Sequence, residues 1–313
     1  MKKEARPYNA KMQTPADSDK KPRGRRRFGR PRLLIVGCGD VGLRIVARLR
    51  DRFRIIATTA TAQRVVELRS AGTVPIVINL DVPHVARRLR RLAARWIDLA
   101  PPPPSGNGDP RTRRLRAACF DVDHAVYVST TGVYGDRGGA WLDETARPAP
   151  ASDRARRRLA AEAIVRAAPI HATVLRAPGI YAADRLPLAR LRAATPALVA
   201  EDDVYTNHIH ADDLARLAIA ALFVGAPARV YNAVDDTQLK MGEFFDRVAD
   251  HFQLPRPPRL RRATLAAAVS PAQYSFMSES RRLANLRLKR ELRVRLLYPT
   301  VDAALATMRR APR

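Results

Sequence analysis

The first residues able to do chemistry are Gly37-Cys38-Gly39-Asp40-Val41-Gly42, a G-x-G-x-x-G turn. In such a turn Gly37 permits the tight bend, Gly39 lets the backbone approach a pyrophosphate, and Gly42 lets helix and strand pack closely. Backbone N–H groups at the start of the following helix supply an anion site. The turn follows the apolar run Leu33–Val36 and opens a stretch in which Val41, Ile45, Val46 and Leu49 recur at helical spacing. That context separates a dinucleotide site from an ordinary glycine-rich loop. Gly37, Cys38, Gly39, Asp40, Val41 and Gly42 are therefore expected to cradle a nicotinamide dinucleotide.

The next strand ends Ala57-Thr58-Thr59-Ala60-Thr61 and carries no acid before Glu67. An acid there would hold the ribose 2′-hydroxyl of NAD. Without it, Thr58 and Thr59 offer hydroxyls to a 2′-phosphate and Arg64 offers charge, so NADP is expected ahead of NAD. A second reading of Arg64, as one more exposed arginine, stays open. Ala100 and Pro101 precede a proline-rich loop and are expected to line the dinucleotide through their backbone. Asp81 either touches the adenine side or simply ends a strand. His208 and His210, the only closely paired histidines, are expected to pack or hydrogen-bond. Two cysteines, Cys38 and Cys119, without CxxC or Cys/His spacing, give no metal site and fit a reducing cytoplasm.

Strand, helix and strand arrive within about 30 residues, which is a βαβ unit. The alternation continues. Strands are expected at Phe53–Thr58, Val74–Ile78, Trp96–Leu99, His124–Ser129, Ala172–Arg176 and Arg229–Ala233. Helices are expected at Ala62–Ser70, Val85–Ala94, Arg111–Ala118 and Arg154–Ala167, then from a cap at Asp212 or Asp213 to Phe223. The pattern predicts an α/β Rossmann fold, a doubly wound parallel sheet, with a small, mainly helical C-terminal lobe. Residues 32–236 form the dinucleotide-binding domain and 237–313 the lobe, with 183–206 contributing to it.

The 313 residues carry a formal charge of +27, and 50 of the 57 basic residues are arginine. So lopsided a ratio, with abundant Ala and Pro, fits the codon bias of a GC-rich genome better than a purpose-built nucleic-acid surface. Residues 1–32 nevertheless hold 12 basic and 3 acidic residues. Residues 1–31 are expected to be a disordered basic arm that contacts polyanions non-specifically and with steep salt dependence. No apolar stretch approaches the roughly 20 residues that span a bilayer, and the N-terminus lacks a secretory pattern. A cytoplasmic protein without membrane contact is expected, and a homodimer is among its expected assemblies.

The segment Val126-Tyr127-Val128-Ser129-Thr130-Thr131-Gly132-Val133-Tyr134-Gly135 resembles the strand and loop of extended short-chain dehydrogenases/reductases, the family of nucleotide-sugar epimerases and dehydratases. The resemblance spans about residues 32–305. It continues through Asp143-Glu144, Leu175–Tyr181, Ile209–Ala215 and Ser278–Arg282, and ends at Asn285 and Tyr298-Pro299. The early G-x-G-x-x-G, the proline-rich loop and the Gly-Val-Tyr-Gly-Asp stretch look closest to the YeeZ-type bacterial group of atypical members. The resemblance implies that Thr130 hydrogen-bonds the reacting oxygen. It also implies that Ser129 lies on the cofactor side, and that Pro178 and Gly179 shape the nicotinamide wall.

The family's Tyr-x-x-x-Lys dyad is absent. With Glu162 aligned to the family's Glu, Arg158 stands at the lysine and Arg154 at the tyrosine. Arginine stays protonated near neutrality and cannot replace the tyrosine as acid and base. Arg158 could keep the ribose contact and Arg154 could clamp a carboxylate or phosphate; both could equally be exposed arginines on an arginine-rich helix. Tyr134 is a substitute proton donor or a pocket floor. Three functions follow: an NAD(P)-dependent oxidoreductase or epimerase-like enzyme on an unknown small, sugar-like substrate; a non-catalytic NAD(P)-binding redox sensor; or a polyanion binder acting through the arm.

Overall fold

The computed structural model of the protein describes residues 29–119 and 121–308. Apart from residues 29–31, the expected basic arm lies outside the described residues. The central sheet is built from β1 (Arg32–Val36), β2 (Arg54–Thr59), β3 (Val74–Val77), β4 (Arg95–Asp98), β5 (His124–Thr130), β6 (His171–Ala177) and β7 (Arg229–Asn232). All pairings are parallel, in the order β7-β6-β5-β4-β1-β2-β3. The chain reverses direction of growth between β1 and β4, the switch point at which doubly wound sheets place ligands.

Apart from the edge strand β3, none of whose residues is buried, the strands read as apolar runs because both faces are covered. Leu33 and Ile35 pack into one layer with α1 (Asp40–Leu49), while Leu34 and Val36 pack into the other with α2 (Pro110–Ala118) and α3 (Asp153–Arg166). Helix α4 (Ala211–Val224) lies beside α1 and buries Leu214, Leu217, Ala218 and Ala221. Its cap is His210, whose Nδ1 accepts from the Asp212 N–H at 3.2 Å, and not Asp212 or Asp213. The helix begins two or three residues earlier than a cap at either acid would place it. Asp213 is buried and accepts from the N–H groups of Leu297 and Tyr298, both at 2.8 Å, so it holds the C-terminal segment instead.

The arginine-rich stretch Val85–Ala94 is a 3-10 turn over Val85–Leu89 and not a longer helix. Only Ala86 and Leu89 of that turn are buried, and Arg91 takes a positive φ of 57° that ends any helix. Beyond β7, α5 (Met241–His251), α6 (Arg262–Ala268) and α7 (Pro271–Met277) make the smaller layer. Two-residue strand pairings join it to the earlier segment: Ala197–Leu198 to Arg259–Leu260, and Tyr205–Thr206 to Leu239–Lys240. No helix among the described residues is long and apolar enough to cross a membrane.

The buried carboxylate of Glu162 in α3 clamps the layers beneath the site. It accepts from Arg176 of β6 (Nη2 at 2.7 Å, Nε at 3.1 Å) and from the Ser129 hydroxyl of β5 at 2.6 Å. Removing one partner of such a pair strands the other charge in the core. Glu162→Ala is therefore expected to lower unfolding stability by about 3–5 kcal/mol, read from chemical denaturation midpoints. Glu162→Gln should lose less, because its amide oxygen still accepts from Arg176.

Candidate functional site

Gly37 adopts φ +72°, and a Cβ there would lie 2.7 Å from Ala100 Cα. The turn after β1 is thus pressed against the end of β4, and only glycine fits. The Gly37 N–H donates to the Thr58 hydroxyl at 2.9 Å and the Cys38 N–H to the Thr58 carbonyl at 2.9 Å. A Cβ on Gly42 would meet Cys38 Sγ at 2.9 Å, so the third glycine serves close packing. Gly39 is different: a Cβ there meets nothing within 4 Å, because it faces open space. The N–H groups of Asp40, Val41 and Gly42 open α1 without intrahelical acceptors, as the first turn of a helix must. They line one cavity of about 410 Å³ together with Pro101, Ser129, Arg158 and Pro178. The Asp40 carboxylate at its rim is neutralised by Arg44 at 3.0 Å and by Arg185 at 3.1 Å.

Three of the expected cofactor contacts are already committed within the protein. The Thr58 hydroxyl accepts from the glycine turn, and the Thr59 hydroxyl accepts from Thr61 N–H at 3.1 Å and donates to the Thr61 carbonyl at 3.4 Å, so both already support the backbone. The Cys38 N–H is spent on Thr58, and burial pushes the Cys38 thiol up to about 11, which leaves it inert. Arg64 is held at the turn, donating to the Cys38 carbonyl at 2.6 Å and to Glu67 at 2.8 Å. It shares a small cavity with Thr58, Thr59, Asn79, Ala100, Pro101 and Arg111. Asp81 lies outside that cavity's lining and is gripped by Arg111, whose Nε donates to it at 2.7 Å.

On α3 the residues 154, 158 and 162 fall on one helical face. Glu162 is in the core. Arg158 is half-buried, and its Nη1 donates at 3.0 Å to the Ala100 and Val128 carbonyls and the Tyr127 hydroxyl. It is no surface arginine, since it stitches the ends of β4 and β5. Arg154 reaches from the first helical turn and lines both the glycine-turn cavity and a second one of about 380 Å³. Thr130, Pro178, Ile180 and Arg185 also line both, so the two spaces adjoin at these residues. The Thr130 hydroxyl accepts from the Gly132 N–H at 3.2 Å.

Tyr134 corrects an expectation. It is fully buried, lines neither cavity, and donates to Asn232 Oδ1 at 2.7 Å with the Arg176 guanidinium over its ring. Burial raises its pKa, so it is a core hydroxyl and no proton donor to a ligand. His208 lines the second cavity, packs on Phe244 at 4.4 Å, and has no hydrogen-bond partner at Nδ1 among the described residues. Burial depresses its pKa to about 4 and keeps it neutral. Sequence reasoning did not single out Tyr205, Phe244, Phe245 and Phe276, which also line this cavity, and named Arg281 only within the segment Ser278–Arg282. Their apolar or basic character carries no local signature; only the smaller layer's fold gathers them. No described group of three or more His, Cys, Asp or Glu could hold a metal.

No family model and no curated protein matches the chain. Solved structures do. A functionally unknown conserved protein from Silicibacter pomeroyi matches with 30% identity and a TM-score of 0.76, over 88% of this chain and 97% of that one. MoeE5 in complex with UDP-glucose and NAD shares 19% identity with a TM-score of 0.69, over 88% and 96%. The human epimerase family protein SDR39U1 with NADPH shares 17% with a TM-score of 0.70, over 88% and 97%. The chain therefore has the fold of epimerase and short-chain dehydrogenase/reductase proteins, and resembles most of the length of a conserved protein of unknown function. In this chain the guanidinium of Arg154 lines both cavities.

Burial pushes the carboxyl of Asp98, at the end of β4, up to about 7; its Oδ1 accepts from the Ala100 N–H at 3.0 Å. Between pH about 4 and 7 the native state keeps a proton that the unfolded chain has released. Stability should therefore fall as pH rises through that window. Asp98→Asn should flatten the slope in denaturation measured from pH 4 to 8, leaving the share owed to Asp235, which burial also raises to about 7. An unchanged slope would show that Asp98 ionises normally.

Proposed function

We propose that this protein is a cytoplasmic NAD(P)-dependent oxidoreductase or epimerase-like enzyme acting on a small substrate, and that within its superfamily it stands with the YeeZ-type group. The carrying observation is the pair of adjoining cavities that share Thr130, Arg154 and Pro178. One begins at the open face of Gly39 and the unpaired N–H groups of α1, which fit a pyrophosphate. A bound nicotinamide supplies or accepts a hydride. Thr130 would orient a substrate oxygen, and Arg158 would rigidify the cofactor wall by holding Ala100 and Val128. Pro101 and Ala100 would line the adenosine end.

Arg64 and Arg111 line the adenosine-end cavity, while the carboxylates they pair with, Glu67 and Asp81, are not among its lining residues. That balance favours the 2′-phosphate of NADP over the bare ribose of NAD. A second reading, a non-catalytic redox sensor, draws support from the five residues common to both cavities. None of Thr130, Arg154, Pro178, Ile180 and Arg185 is a group that exchanges a proton near neutrality.

Titration of the protein with NADPH and NADH tests the reading. NADPH is expected to bind more tightly, and Gly39→Asp to abolish binding without unfolding the chain, since its Cβ enters open space. Tighter NADH binding would refute the NADP preference, and binding of neither would refute the cofactor reading. Hydride exchange between bound cofactor and a carbonyl panel then separates enzyme from sensor.

A further inference from the structure

We propose that Arg154 is a substrate anchor, and that the ligand of the second cavity is a small monoanionic carboxylic acid with an aromatic or branched apolar body. The assignment rests on the reading that the neighbouring cavity takes the dinucleotide, but its observations lie in the other cavity.

The first observation is the state of the arginines around that space. Arg185 is paired with Asp40 at 3.1 Å. Arg281 is paired with Glu279 at 2.7 Å and donates to the Gly135 carbonyl at 2.8 Å. On α3, Arg156 is paired with Asp153, Arg157 donates to the Pro104 and Gly106 carbonyls, and Arg158 donates to Ala100 and Val128. Arg154 alone on that helix has neither hydrogen bond nor ion pair among the described residues. Its guanidinium lies 4.5 Å above the Phe276 ring. Arg154 is exposed by surface area; partial desolvation and the charge of Arg158 work against this cation, and Glu279 works in its favour. An anion arriving at Arg154 offsets both effects.

The second observation is the wall. Met241, Phe244, Phe245 and Phe276 face a space of about 380 Å³, and His208 within it is neutral with Nδ1 unpartnered. An apolar body fills such walls, and the neutral His208 adds no charge to them. The charge count then selects the ligand. One uncompensated guanidinium matches one carboxylate in bidentate geometry. A phosphate dianion would need a second free cation, and Glu279 in the same cavity opposes it. A neutral polyol would leave Arg154 uncompensated.

The test uses the full chain, by calorimetry, with and without saturating NADPH. The probes are trans-cinnamate, benzoate and 4-methylpentanoate, each with its amide, and phenyl phosphate. Each acid is expected to bind about 10- to 100-fold more tightly than its amide, as a hydrogen-bonded charge pair implies. Arg154→Gln should remove that advantage, Arg154→Lys should keep part of it, and Arg156→Gln should leave it unchanged. Arg154 holds nothing else in the fold, so its variants should remain folded. Acids binding no better than amides, full discrimination in Arg154→Gln, or phenyl phosphate binding more tightly than benzoate would each overturn the proposal. NADPH binding without acid discrimination would overturn the anchor and leave the cofactor reading standing. Arg154-dependent discrimination without NADPH binding would do the reverse.

Discussion

The site hangs on one buried carboxylate. Glu162 ties α3 to the ends of β5 and β6 through Ser129 and Arg176. A charge in this position is tolerable only when every lone pair is engaged, so the clamp is stiff and intolerant of partial loss. Two helical turns away on the same face, Arg154 projects into the ligand space, and one turn away Arg158 bridges β4 and β5. The direction of both arginines follows from where Glu162 pins the helix. The clamp extends further: Arg176 also covers the Tyr134 ring, and Tyr134 bonds Asn232 of β7. The same network that organises the site thereby withdraws Tyr134 from it.

A second constraint acts on the cofactor side. The turn after β1 and the end of β4 approach so closely that Gly37 has no room for a side chain. Thr58 secures that turn with its hydroxyl and its carbonyl, and Arg64 grips it through the Cys38 carbonyl. Groups that could have met a ligand are thus spent on holding backbone in place, while the helix N–H groups and the open face of Gly39 remain available. Rigid support with a few uncommitted donors is what preorganised binding requires.

The arginine surplus acquires a structural meaning once the contacts are known. Many arginines hold main-chain carbonyls: Arg157 tethers the proline-rich loop, Arg114 the Leu80 and Asp81 carbonyls, Arg137 the Tyr134 carbonyl. A guanidinium suits this work because its fixed fork satisfies several acceptors with little loss of freedom. Against that background Arg154 stands out by its place: it lines both cavities with neither hydrogen bond nor ion pair among the described residues. The composition that obscures any single arginine in the sequence sharpens Arg154 in the fold.

Much of the architecture was legible in the chain. Apart from β3, the apolar runs of β1 to β7 announce strands covered on both faces, and Leu33–Gly42 announces the switch-point turn, because short-range sterics and burial periodicity are local properties. Contacts between distant segments were not. The fates of Thr58, Tyr134 and Asp213 depend on partners 21, 98 and 84 residues away, respectively. The length of the turn from Val85 and the cap at His210, two or three residues before the expected acids, were decided by packing. The sequence by itself determined which strands are buried and where the glycine turn must lie. Only the tertiary structure decided which polar groups remain free for a ligand, because a hydrogen-bonding group is spent or spared by neighbours that the chain brings together only on folding.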